Sequence, residues 1–323
     1  MISTTNIPKI IYILMIFSCV LSCKTQDKFT AEESFIISKN KMNLKQSAID
    51  SFQIMEDVEY LASDQLEGRR SGEKGNELAR EYIVSRFKEL GLEKLNSSFL
   101  QAFSFYKRIY KNTYNCNNII GEIPGTIQPE KYIVLSAHYD HLGKRGEKIF
   151  NGADDNASGI SAMLESAAYF KKNPPMNSIL FVAFDAEELG LEGAKYFVEN
   201  PPISIDKILM NINLDMISRN KNNEIYICGT HHYPTLKKSL NNINSLSSIN
   251  VLFGHDTPDL GYNDWTNASD HKPFHKKKIP FIYLGVEDHK DYHQVTDTFE
   301  NIDPSFLYQS TKLVIEILKA FDQ

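Results

Sequence analysis

Residues 132–140 read Tyr-Ile-Val-Leu-Ser-Ala-His-Tyr-Asp, an apolar run of strand length that stops at His138 and Asp140. Apolar residues at consecutive positions, with no helical gaps, mark a strand covered on both faces, as in parallel sheets. The same grammar recurs downstream. Ile179–Phe184 is followed by Asp185, Glu187 and Glu188, Ile208–Leu214 by Asp215, and Phe281–Leu284 by His289, Asp291 and His293. Helical patterns separate these runs: Ser158–Phe170, with Ile160, Met163, Leu164, Ala167 and Ala168 on one face, then Leu191–Val198, Pro234–Leu240 and a closing helix Pro304–Phe321. Ile225–Cys228 adds a strand. Two earlier helices, Ser47–Leu61 and Glu77–Leu90, flank the turn-rich segment Leu66–Gly72. Strands alternating with helices predict one α/β domain over residues 46–323, a mixed, mostly parallel central sheet with helices on both faces.

Open sheets of this kind bind ligands beyond the carboxyl ends of their strands. Four strands here end in histidines and carboxylates, so the topology predicts a polyvalent metal site on one edge. Hydrolytic metal sites need such donors, an open position for water and a nearby base. In Ala137-His138-Tyr139-Asp140, the carboxylate of Asp140 can orient His138 by accepting its free ring N–H. Asn151–Gly159 (NGADDNASG) is an acidic loop feeding a helix. Capping by Asn156 or Ser158 accounts for one polar residue there, not for Asp154 and Asp155 together. Glu187 and Glu188 are adjacent, so their side chains diverge; one can bind metal while the other addresses the attacking water. Asp215 breaks an apolar strand, and His293 has Asp297 available as a partner. The loops around Tyr262, Trp265 and His289 are placed to shape the pocket.

Five segments in this order, AHYDH, NGADDNASG, AFDAEELGLEGAKYF, NLDM and YHQVTDT, resemble the zinc aminopeptidases of peptidase family M28, the leucyl-aminopeptidase-like dizinc exopeptidases. LEGRRSGEKGNELAREYIVSRFKELGL and SDHKPFHKKKIPFIYLG are similar to that family's early and late segments, so the likeness spans roughly residues 50–320. The resemblance implies the zinc-exopeptidase, phosphorylase/hydrolase-like fold and two Zn2+ per chain. It assigns His138 and Asp215 to one ion, Glu188 and His293 to the other, and Asp155 between them. It also implies a cis peptide at Asp155–Asn156, Glu187 as general base and acid, and Tyr292 beside the oxyanion. The substrates implied are peptides with a free N-terminus. Leu100–Asn118 is too short for the protease-associated domain that some relatives insert.

Two enzymatic alternatives share the fold: a glutaminyl cyclase, and a carboxypeptidase or dipeptidase using the same metals. The cyclases resemble this chain but use one zinc and lose the Asp-Asn character of the loop, which this chain keeps together with Asp215. A non-catalytic binding lipoprotein is a third alternative; Glu187 and the five ligands oppose it.

The chain has 323 residues and a formal net charge of −6, which opposes nucleic-acid binding. Lys276–Lys278 read as solvated surface. At the N-terminus, Lys9 precedes an apolar run, Ile10–Leu21, shorter than the roughly 20 residues a membrane span requires. It has the anatomy of a signal peptide. The run ends Val20-Leu21-Ser22-Cys23, similar to the bacterial lipoprotein box. The expectation is a signal segment over residues 1–22, a lipid anchor on Cys23, a polar tether over 23–45, and an exported, membrane-anchored protein facing the periplasm or cell exterior. Cys116 and Cys228 remain, either as a pair or as buried thiols.

Overall fold

β3 (Gln128–His138) lies inside an eight-stranded sheet whose order is β1 (Leu100–Lys107), β2 (Asn112–Ile123), β6 (Asn177–Phe184), β3, β7 (Ile208–Leu214), β10 (Phe281–Gly285), β8 (Glu224–Cys228) and β9 (Asn250–Phe253). The computed structural model describes residues 49–323, one compact unit. The signal segment, Cys23 and the tether lie outside the described residues. β6 (Asn177–Phe184), β3, β7 (Ile208–Leu214) and β10 (Phe281–Gly285) run parallel, with Leu135 facing Phe181 on one side and Ile212 on the other. β8 (Glu224–Cys228) joins β10 antiparallel, and β9 (Asn250–Phe253) extends it in parallel.

Alternation along β3 divides the core. Ile133, Leu135 and Ala137 face a large apolar layer made with α1 (Ser51–Leu61), α2 (Lys74–Glu89), α3 (Gly159–Lys172) and α7 (Pro304–Phe321). Val134 faces the opposite layer, where Phe197 of α4 (Glu192–Glu199) and Phe274 of α6 (His271–Lys276) pack. Each fully buried side chain of this size stabilises the fold by roughly 1.5–3 kcal/mol. Helices thus cover both faces, as the alternation of patterns predicts. On the second face a polar ladder replaces apolar packing. The Asn211 amide donates to Ser136 Oγ at 2.8 Å, Ser136 donates to Asn213 at 2.7 Å, and Asn213 donates to Ser269 at 3.0 Å.

Several elements were not legible from periodicity. β1 (Leu100–Lys107) and β2 (Asn112–Ile123) form an antiparallel hairpin that continues the sheet beyond β6. The Asn-rich start of β2 hides its inward alternation of Tyr114, Cys116 and Asn118. Asn118 is buried for a polar reason: its amide donates to Gln101 and to the Gly193 carbonyl, and its oxygen accepts the Asp185 N–H. The four-residue edge strand β9, the six-residue helix α6 and a small hairpin, β4 (Gly143–Arg145) with β5 (Lys148–Phe150), are also new, whereas α5 (Pro234–Ser239) falls where periodicity places a helix. Cys116 and Cys228 are both buried free thiols.

Candidate metal centre

The four parallel strands deliver their chemistry to one edge because their carboxyl ends coincide. His138 is the last residue of β3, Asp215 follows β7, Glu187 and Glu188 follow β6, and His293 lies in the loop after β10. Three of these exits hold a non-glycine residue at positive φ: Ala186 at 59°, Met216 at 60° and His293 at 56°. Such conformations cluster where a loop must aim a side chain at a functional site.

Asp155 stands between two histidines. Its Oδ1 is 3.2 Å from His138 Nε2, and its Oδ2 is 3.2 Å from His293 Nε2. His138 Nε2 is also 3.3 Å from Asp215 Oδ1, and His293 Nε2 is 3.5 Å from Glu188 Oε2. Two donors on one tetrahedral zinc, each about 2.0–2.1 Å from it, would sit roughly 3.3 Å apart. The donor set of imidazole nitrogens and carboxylate oxygens, at this spacing, suits zinc. Buried polar atoms without hydrogen bonds, Glu188 Oε1 and both ring nitrogens of His141, lie in the same place.

The surrounding hydrogen bonds explain why the loop offers Asp155 and not Asp154. Asp154 turns away, accepting the Ser218 N–H at 2.7 Å and meeting His289 Nε2 at 2.8 Å. Asp297 grips the loop from below, accepting the N–H of Asp154 at 2.9 Å and of Asp155 at 3.0 Å. Burial, reinforced by Asp154, pushes the Asp297 carboxyl up to about 6. Asn156 ties the loop to the β7 exit, donating to Leu214 O at 2.8 Å and accepting from Met216 N at 3.3 Å. The Asp155–Asn156 peptide is cis, and Gly152 takes φ 63°.

Asp140 works differently from the expectation. The His138 ring nitrogen Nδ1 hydrogen-bonds the backbone carbonyl of Asp140 at 3.0 Å, while the nearer carboxylate oxygen is 3.8 Å away. That carboxylate is occupied by the backbone N–H groups of Glu187 at 3.0 Å and Glu188 at 3.3 Å. An extended His-x-Asp does place both residues on one side, but the chain turns after His138 and offers the carbonyl instead.

Burial opposes a proton on His138, yet Asp215 and Asp155 hold its pKa well above the usual imidazole range. His293 is raised to about 10 against the same burial by Asp155 and Glu188. Burial pushes Glu187 well above the carboxylate range, and Glu188, Asp270 and Asp215 add to it. Tyr292, stacked on His293 with ring centroids 3.9 Å apart, is held protonated by burial and by Asp155, Asp215 and Glu188.

His138, Asp155, Glu187, Glu188, Asp215, Tyr292 and His293 open on one cleft of about 540 Å³, which Lys195, Tyr262, Trp265 and Lys272 also line. Trp265 serves two ends, lining the cleft and stacking on His255 at 3.7 Å. His289 pairs with Asp154 and does not join the donors.

Sequence reading missed three buried residues here. Arg69 has a completely covered guanidinium that bonds only backbone carbonyls: Tyr139 at 2.9 Å, Gly152 at 2.9 Å, Asn151 at 2.5 Å and Leu61. Asp270 is buried without a hydrogen bond and is pushed up to about 7 by that burial. His141 completes a second potential metal group with Asp155 and Glu188. A sequence signal existed for each, since Arg69 lies in EGRRSG, Asp270 in SDH and His141 at the end of AHYDH, but none of these sits at a strand end.

The chain is 34% identical over 208 residues to aminopeptidase YwaD of Bacillus subtilis, an overlap of 61% of this chain and 43% of that protein. It therefore spans less than half the length of this relative. The solved structure of BSAP, a zinc aminopeptidase from Bacillus subtilis, superposes with a TM-score of 0.66 at 18% identity, over 83% of this chain and 94% of the other. Glutaminyl cyclase of Porphyromonas gingivalis superposes with a TM-score of 0.65 at 21% identity, over 84% and 99%. Likeness at that level establishes the fold and leaves the chemistry to the site. The family model of peptidase family M28 matches residues 118–318, the span that carries His138, Asp155, Glu188, Asp215 and His293, and the chain belongs to that family.

Proposed function

We propose that the chain is a two-zinc aminopeptidase, with His138, Asp155 and Asp215 holding one ion and Asp155, Glu188 and His293 the other. The observation that carries this reading is Asp155, which turns one oxygen to His138 and the other to His293. A single ion would leave one of those pairs without a purpose. Zinc, when bound, polarises the scissile carbonyl and acidifies water toward neutrality. The chain's own groups do the rest. Glu187 takes a proton from the attacking water and returns it to the leaving amine, a role suited to a carboxyl that burial makes more basic than an ordinary carboxylate. The protonated phenol of Tyr292 donates to the carbonyl oxygen as negative charge develops there. Trp265 and Tyr262 border the space for the substrate side chain.

Glutaminyl cyclase chemistry is the second reading, favoured by the structural likeness to such enzymes. The two-faced Asp155 and the pairing of Asp215 with His138 support hydrolysis with two ions over it. The purified full chain, supplied with zinc, should cleave aminoacyl anilides, spare N-blocked peptides and lose activity to chelators. Ammonia release from peptides with N-terminal Gln would instead establish the cyclase, and cleavage of N-blocked peptides a carboxypeptidase.

The Ile10–Leu21 run and Cys23 support export and a lipid anchor. Labelled palmitate should enter the wild-type chain and fail to enter Cys23→Ala.

A further inference from the structure

We propose that His141 is a fourth protein donor to the second ion, so that this ion is held by Asp155, Glu188, His293 and His141. The proposal rests on the two-ion reading above. Its side chain is completely covered, whereas that of His293 is 37% exposed. Nδ1 of His141 lies 2.8 Å from Glu188 Oε1 and 3.6 Å from Asp155 Oδ2, the two carboxylates that face His293. Yet neither ring nitrogen makes a hydrogen bond, and neither does Glu188 Oε1. A buried imidazole whose Nε2 has no partner, and whose Nδ1 meets Glu188 outside hydrogen-bond geometry, costs free energy unless something satisfies it. The approach to Glu188 is close without hydrogen-bond geometry, as expected of two atoms that bind a common cation side by side.

The backbone is shaped to admit this ring. Gly152 faces it so closely that a Cβ there would fall 2.6 Å from His141 Cδ2, and the glycine takes φ 63° besides. The His141 N–H is held by the Arg69 carbonyl at 3.3 Å, and the Arg69 guanidinium in turn holds Gly152 O. Both sides of the ring's slot are therefore fixed by one residue. The two ions would then be unequal. His138, Asp155 and Asp215 give the first ion three protein donors and an open position, while the second has four and is close to saturation.

Zinc binding to the full chain, measured by competition with a chromogenic chelator and by bound metal per chain, tests this. Wild type should bind two ions. His141→Ala should weaken one of them about 10–100-fold, the ion that His293→Ala also weakens, and leave the other unchanged. His141→Cys, loaded with cobalt, supplies a readout that a packing role would not move. Binding through Nδ1 leaves the ion about as far from Cβ as a thiolate does, so a sulfur-to-cobalt charge-transfer band should appear in His141→Cys beyond any that the wild-type chain, with the same Cys19, Cys23, Cys116 and Cys228, gives under identical loading. Two ions bound to His141→Ala as tightly as to wild type, or a fully loaded His141→Cys without that band, would overturn the assignment while leaving the two-ion reading intact. A wild-type chain that binds only one ion would overturn both.

Discussion

The carboxylate of Asp140 accepts the backbone N–H of Glu187 at 3.0 Å, so the loop after β3 fixes the loop after β6. The same carboxylate takes the Glu188 N–H, and the Asp140 backbone carbonyl bonds the His138 ring. One residue thus sets a ligand of each proposed ion and the proposed base together. Asp140→Asn would turn an NH2 group against one of two N–H donors. Zinc affinity should fall about 10–100-fold, as for other residues that orient metal ligands. Chelator competition on the purified variant measures it, and an unchanged affinity would detach Asp140 from the centre.

Glu187 and Glu188 are neighbours in sequence with opposite electrostatics. Burial opposes ionisation of Glu188, but His141 and His293 bring its pKa down to about 2, whereas Glu187 is driven up. Such a split is how a site assigns one carboxylate to hold charge and the other to move a proton. Glu187→Gln should therefore lower kcat by about 10²–10⁴ with zinc content and KM little changed. Loss of metal from this variant would show instead that Glu187 is a ligand.

Arg69 gathers three segments that are far apart in sequence: Leu61 at the end of α1, Tyr139 after β3, and Asn151 and Gly152 before the acidic loop. Burial lowers its pKa to about 10, against the pull of Asp155 and Asp297, so it stays charged at neutral pH. Arg69→Met would leave the carbonyls of Leu61, Tyr139 and Asn151 without the guanidinium, while Gly152 O keeps the Ala157 N–H at 3.2 Å, and each orphaned group costs about 1–3 kcal/mol. Urea unfolding should show a loss of at least about 3 kcal/mol. Arg69→Lys should recover little of it, because an ammonium cannot reproduce the planar fork.

The strands that carry the centre were legible because β3, β6, β7 and β10 are covered on both faces and read as continuous apolar runs. Ile208–Leu214 and Pro304–Phe321 match the observed elements at both ends. β1, β2 and β9 lie toward the sheet's edges, where one face is solvated and Asn or Ser replaces the apolar residue, so periodicity weakens. In the site, strand ends located Asp215 and His138, but only the resemblance separated Asp155 from Asp154. Hydrogen bonding supplies the physical reason, since Asp154 is spent on Ser218 N. Arg69 and His141 act through contacts that close only when distant loops meet, so hydrophobic periodicity does not single them out, although both lie in segments that the resemblance covers.

Glu165 gives the fold a pH dependence of its own, away from the metal centre. It lies on α3 among the core helices, 3% exposed, and accepts the Asp50 N–H at 2.7 Å. Burial, with Asp50 and Asp57 adding to it, raises its pKa from 4.5 to about 7. The folded chain therefore binds this proton more tightly than the unfolded chain does. Its contribution is fully present below pH 4.5, declines as pH rises through 7, and by pH 8 the charged form burdens the native state. Converted directly, a shift of that size is about 3 kcal/mol, an upper bound because the helix end can relax toward water. Glu165→Gln keeps an acceptor for Asp50 N–H and cannot ionise. It should exceed wild type in urea midpoint at pH 8 by up to that amount, with the advantage fading toward pH 5. An equal gain at both pH values would mean that packing, not the carboxyl's charge, sets the difference.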